Sequence, residues 1–161
     1  MPAFIAASQL LKPSVSDGII YVPVINMVVE YTPSEFVLSS FSFAGATGEL
    51  IAIDAATGKI LWDNKFDSLN VVAATVVNDL VFTATFDGKI YAFNNKTGEK
   101  VWEYQAPGGI NGWPAVKGDI IIFPVGMGKT PELIAFKIGS SNRPPDETTA
   151  PAGGSGKGFA Q

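Results

Sequence analysis

Residues 48–62 read Gly-Glu-Leu-Ile-Ala-Ile-Asp-Ala-Ala-Thr-Gly-Lys-Ile-Leu-Trp, and residues 88–102 read Gly-Lys-Ile-Tyr-Ala-Phe-Asn-Asn-Lys-Thr-Gly-Glu-Lys-Val-Trp. The two stretches lie 40 residues apart and share five identities: the opening Gly, the Ala, the Thr-Gly pair and the closing Trp. Asp54 is matched by Asn94. Each begins with a short apolar run rich in β-formers, Leu50–Ile53 or Ile90–Phe93. A polar Asx-x-x-Thr-Gly turn follows, whose Gly supplies the positive φ that a tight hairpin needs. The unit is therefore a β-hairpin, and its recurrence makes it a repeat.

Working outward, a second signature carries the same spacing. Asn78-Asp79-Leu80-Val81-Phe82 returns as Gly118-Asp119-Ile120-Ile121-Ile122, and a weaker forerunner is Asp17-Gly18-Ile19-Ile20-Tyr21-Val22. Glu132–Lys137 is a third, decayed copy of the hairpin's first strand, without the Thr-Gly or the Trp. Helix-period segments are nearly absent. Several short strands per roughly 40 residues, with one hairpin signature in each, fit a four-stranded propeller blade. A β-sandwich is the alternative, but it has no need of that period. The expected fold is all-β, a partial β-propeller of about three four-stranded blades near 15–66, 70–106 and 110–138. An insertion from Tyr31 to Thr47, with Phe36, Phe41 and Phe43, enlarges the first blade and is expected to pack against it. The propeller portion is expected over 1–138, and 139–161 is read as a disordered tail or tether. Sixteen of those last 23 residues are Gly, Pro, Ser, Thr or Ala, too little apolar surface to offset ordering entropy.

Composition narrows the chemistry. The chain has 161 residues, 47% hydrophobic and 16% charged, enough for a substantial core. It has no Cys and no His, which removes thiolate catalysis, disulfides, imidazole general bases and every Cys- or His-ligated metal site. The net charge of −4 argues against a nucleic-acid groove. No apolar run approaches the ~18 residues of a transmembrane helix, and no targeting signal is visible at Met1–Pro13. Gly108–Pro114 is glycine-rich, yet no helix follows to seat a phosphate, and Gly126–Thr130 lacks both the first Gly and the helix of a P-loop. Trp62 and Trp102 are expected to be largely buried and to lock adjacent blades. Asp54 and Asn94 are expected to accept hydrogen bonds from their own turns.

The unit Ala-x-Asp/Asn-x-x-Thr-Gly-x-x-x-Trp, at 52–62 and 92–102, resembles the tryptophan-docking motif of quinoprotein propellers. Three further segments are similar, in order, to the C-terminal part of the pyrroloquinoline quinone (PQQ)-dependent alcohol and methanol dehydrogenases: Ile20–Pro33, Asp79–Gly88 and Gly108–Pro114. The resemblance implies an eight-bladed propeller with PQQ at its axis, oxidising an alcohol with calcium polarising the quinone. It implies no catalytic residue in this chain, because the family's catalytic Asp, calcium ligands and cofactor-clamping Arg come from earlier blades. Calcium would enter only through those blades. By alignment with family positions beside the cofactor, Gln9 and Asn70 are the candidates to hydrogen-bond a quinone carbonyl. The expected function is a C-terminal fragment or subunit of a PQQ-dependent alcohol dehydrogenase-like protein, inactive on its own. A non-catalytic propeller scaffold that binds protein is the alternative. Expected partners are the missing blades or further copies of the chain. Proteins of this family usually act in the periplasm or outside the cytoplasm.

Overall fold

The computed structural model describes residues 12–27 and 45–139, which form eleven strands and no helix. They fall into three antiparallel meanders. The first is β1 (Ser14–Ser16), β2 (Ile19–Asn26), β3 (Thr47–Asp54) and β4 (Ile60–Phe66), hydrogen-bonded in that order. The second is β5 (Thr75–Val77), β6 (Leu80–Ala84), β7 (Lys89–Asn94) and β8 (Lys100–Gln105). The third has β9 (Ala115–Lys117), β10 (Ile120–Val125) and β11 (Glu132–Lys137). The chain is a partial β-propeller, as the repeat implies, with the sheets stacked side by side and the ring not closed. Gln9, most of the Tyr31–Thr47 insertion with its three Phe residues, and the tail beyond Gly139 lie outside the described residues.

The repeated sequence is repeated structure. Ala52 pairs with Trp62 and Ala92 with Trp102, and both ladders shift register at the next position, Ala52/Ile53 and Ala92/Phe93. The hairpins turn at Thr57-Gly58 and Thr97-Gly98, with Gly φ values of 71° and 72°. Gly58 N–H donates to the Asp54 carbonyl at 2.8 Å, and Gly98 N–H to the Asn94 carbonyl at 2.9 Å. The Asp54 side chain accepts from the N–H groups of Ala56 and Thr57 and from the Thr57 hydroxyl. The Asn94 side chain accepts from the N–H groups of Lys96 and Thr97. The Thr57 hydroxyl, then its N–H, holds the Asp54 carboxyl below its ordinary pKa.

Between blades, apolar faces meet in two layers. Tyr21, Leu50, Ala52 and Phe66 of the first sheet pack on Val81, Tyr91 and Phe93 of the second, with Phe66 stacked on Tyr91 at 4.8 Å between centroids. The opposite face of the second sheet, Phe82, Ala84, Ile90 and Ala92, packs on Ile121, Phe123 and Val125 of the third. Being covered on both faces makes β6 and β7 nearly continuously buried, where β11 alternates between exposed and half-buried. Burial also pushes the Tyr91 hydroxyl up to about 12, helped by the charges of Glu103 and Asp87.

Trp62 and Trp102 are half-buried where full burial was expected. Both stand on a fourth strand, the outermost of the blade, so one side of the indole remains at the rim. Trp62 nevertheless crosses to the neighbouring sheet, donating its Nε1–H to the Asn95 carbonyl at 3.1 Å. Its ring lies flush on Gly98, where any Cβ would sit 2.6 Å from the indole. Trp102 meets Phe136 of the third sheet edge-on at 4.9 Å.

Candidate functional site

An antiparallel meander sends alternate connections to opposite ends. The turns at 17–18, 78–79 and 118–119 share one end with the Thr-Gly hairpins. The opposite end gathers the β4–β5 loop (67–74), the β6–β7 turn (85–88), the β8–β9 loop (106–114) and the β10–β11 loop (126–131). Each inter-blade loop is clipped to the following blade there. Phe86 N–H donates to the Leu69 carbonyl at 2.8 Å, and Gly109 and Met127 exchange backbone hydrogen bonds at 2.8 and 3.0 Å. The opening glycines of the repeat are the crossing points. A Cβ on Gly48 would sit 2.3 Å from the Asn70 nitrogen, and one on Gly88 would sit 2.3 Å from the Gly108 carbonyl oxygen. No side chain fits beneath these loops.

Asn70 lies in the β4–β5 loop and is fully buried, at 0% exposure. Its Nδ2–H donates to the Glu49 carbonyl at 2.9 Å, and its Oδ1 accepts from the Thr83 hydroxyl at 2.8 Å. The amide thus ties the loop to β3 beneath it and to β6 of the following blade. A buried amide needs such partners, since an unpaired one costs about 1–3 kcal/mol. Beside it, the Thr85 hydroxyl donates to Asp87 in the β6–β7 turn.

The first strands of the blades begin at this end. Ala74 N–H, just before β5, donates to the Lys12 carbonyl at 3.2 Å, and Ser14 donates to the Ala74 carbonyl. Trp113, just before β9, is 47% exposed, and the Lys12 ammonium stands 3.9 Å from its ring centroid. Residues that precede the first and third sheets therefore meet as a cation–π pair. Sequence reasoning passed over both. The available signal was a Trp placed between Gly112 and Pro114, in a loop with no strand pattern to bury it.

A bound quinone with several carboxylates calls for a flat aromatic surface, cationic or N–H donors, and a metal ion at its carbonyl. Trp113 and Lys12 supply one aromatic face and one cation. Asn70 has both amide atoms engaged within the chain. No cluster of three or more Asp or Glu suited to a metal occurs among the described residues. These residues do not by themselves make a quinone site. Among the described residues, Asn95 Oδ1 is the buried side-chain atom without a hydrogen-bond partner, and it lies at the hairpin end, away from these loops.

The stacked blades, the tryptophan crossing and the clipped loops define a segment of a quinoprotein-type β-propeller. The chain belongs to the PQQ propeller family: the family model described as "Outer membrane protein assembly factor BamB" matches residues 32–142, and the curated relatives include quinoprotein alcohol and methanol dehydrogenases. Quinoprotein alcohol dehydrogenase PedH of Pseudomonas putida is 34% identical over 132 residues, 70% of this chain and 22% of that protein. The lanthanide-dependent methanol dehydrogenase of Methylorubrum extorquens is 31% identical over 59% of this chain and 18% of its own length. Among solved structures, quinohemoprotein alcohol dehydrogenase ADHIIG of Pseudomonas putida HK5 aligns with a TM-score of 0.62 at 20% identity, covering 88% of this chain and 28% of that one. The chain thus spans about a fifth of the length of the dehydrogenases it resembles. No helix among the described residues is long and apolar enough to cross a membrane.

Proposed function

We propose that this chain supplies the C-terminal blades of a PQQ-dependent alcohol dehydrogenase-like protein and does not oxidise alcohols alone. The observation that carries this reading is the extent of the match. Some 70% of the chain aligns to PedH, but only 22% of PedH is represented. In this reading the loop end frames one side of the quinone pocket. Trp113 and Lys12 present a flat, positively charged surface there, suited to an anionic aromatic group. Gln9 and Asn70 are the polar residues at the cofactor edge, Asn70 by holding the loop 67–74 in place. The general base and the metal ligands come from other blades.

The partners are those blades, which would cover the two open sheet faces. A second reading, a protein-binding propeller without redox chemistry, is favoured by the description of the matching family model and by the assembly factor BamB of Francisella tularensis, 37% identical over 60 residues. The test is to mix the purified chain with PQQ and calcium, or a lanthanide, and follow the quinone absorbance and dye-linked alcohol oxidation. A shifted absorbance without turnover is expected. Turnover by the chain alone would refute the fragment reading, and an unchanged absorbance would favour the scaffold.

A further inference from the structure

The three sheets share one register, so each position of the third has an equivalent whose surroundings are complete. Pro124 pairs with Leu133 as Pro23 pairs with Leu50 and Ala84 with Ile90. Ile122 pairs with Ala135 as Tyr21 pairs with Ala52 and Phe82 with Ala92. Leu50 and Ile90 are 0% exposed, whereas Leu133 is 73% exposed and Ala135 is also exposed. Two things cover Leu50 and Ile90: the following blade and a fourth strand. In the first two sheets that strand sets Trp62 and Trp102 opposite the Ala, and Asn64 and Tyr104 opposite the Leu or Ile. Among the described residues β11 pairs with β10 alone, and nothing stands opposite Ala135.

We propose that the free edge of β11 is a docking site for an antiparallel strand from a segment outside this sequence, with a Trp opposite Ala135 and an Asn or Tyr two residues later, opposite Leu133. The chain cannot furnish that strand. Its three Trp residues are Trp62, Trp102 and Trp113, the first two in complete sheets and the third in a loop. The stretch 140–161 has no Trp and no β-alternating run. A second copy offers no spare strand either, because its β4 and β8 are already paired. Strand addition brings main-chain hydrogen bonds for affinity, while the side-chain pattern selects the partner. Specificity would come from the small Ala135, which leaves room for an indole to lie over the apolar face of Ile122, Pro124 and Leu133. This inference deepens the partner reading above and does not depend on quinone binding.

The probe is a peptide with the sequence of Gly98–Gln105, which carries the required Trp-x-Tyr spacing. It is added to the full chain in trans, and in a second protein joined by a flexible linker after Gln161, where its effective concentration reaches the millimolar range. Hydrogen exchange across Glu132–Lys137 is the readout. In the linked protein the β11 amides not bonded to β10 should exchange at least about tenfold more slowly. Ala135→Glu, at an exposed position, should abolish that protection without altering exchange in β6 and β7. Unchanged β11 exchange in the linked protein would overturn the proposal, as would equal protection by a strand with the Trp replaced by Ala. Protection that rises with chain concentration and no added strand would assign the edge to a second copy, again overturning it. A chain that gains a partner on its open faces yet ignores the strand would refute this inference and leave the partner reading intact.

Discussion

Gly58 and Gly98 occupy the same place in the same turn, at φ 71° and 72°, but their surroundings differ. A Cβ on Gly58 would meet nothing within 4 Å, while one on Gly98 would sit 2.6 Å from Trp62 Cγ and 2.7 Å from Trp62 Cδ2. Gly58→Ala should therefore carry only the left-handed backbone penalty, about 1–2 kcal/mol. Gly98→Ala should carry that penalty plus the displacement of a packed indole, about 1–3 kcal/mol more in the range for overpacking. The Trp62 Nε1–H bond to Asn95 is lost if the ring moves. Urea denaturation followed by far-UV circular dichroism measures both. With a slope of about 1–3 kcal/mol per molar, each kcal/mol moves the midpoint by roughly 0.3–1 M. In a Trp62→Ala background the extra cost at Gly98 should vanish, leaving the two glycine substitutions equal. Equal midpoints for Gly58→Ala and Gly98→Ala in the parent chain would refute the claim that Trp62 seated on Gly98 joins the first two blades.

Trp102→Ala should cost about 3 kcal/mol, the lower end for large aromatics truncated in cores, because the ring is half-buried; an unmoved denaturation midpoint would show that its contact with Phe136 is idle. Asn70→Ala leaves the Thr83 hydroxyl and the Glu49 carbonyl without their partner and should cost about 1–3 kcal/mol by urea denaturation, with β5 and β6 amides exchanging faster. Thr57→Val removes the first-ranked cause of the low Asp54 pKa, so the carboxyl titration followed by NMR should move upward. A depressed carboxyl stabilises above its unfolded pKa and loses that contribution as pH falls through the folded one, so the parent's advantage over Thr57→Val should shrink below about pH 4. The Tyr91 phenol, raised to about 12, stabilises below its unfolded value and loses that contribution as pH climbs toward 12; ultraviolet titration should show one tyrosine ionising late, and Tyr91→Phe should remove it.

The sequence alone determined the repeat, the hairpins and the all-β class, because those depend on neighbours a few residues apart. Asp54 and Asn94 accept from N–H groups two and three residues on, and Gly58 and Gly98 supply the positive φ, so the turn chemistry was fully legible. Alternation along Leu50–Ile53 and Ile90–Phe93 likewise showed strands with two usable faces. What covers each face depends on how one sheet is rotated against the next, and no local pattern records that. Only the tertiary structure carried Trp62 out of its own sheet to Gly98 and the Asn95 carbonyl, and only it laid the 67–74 and 106–114 loops over Gly48 and Gly88. It also tied the Asn70 amide to Glu49 and Thr83 and brought Lys12 to Trp113 across the second blade. These are contacts between units of a repeat. Sequence periodicity establishes that the units exist, but the geometry of stacking decides which side chains meet.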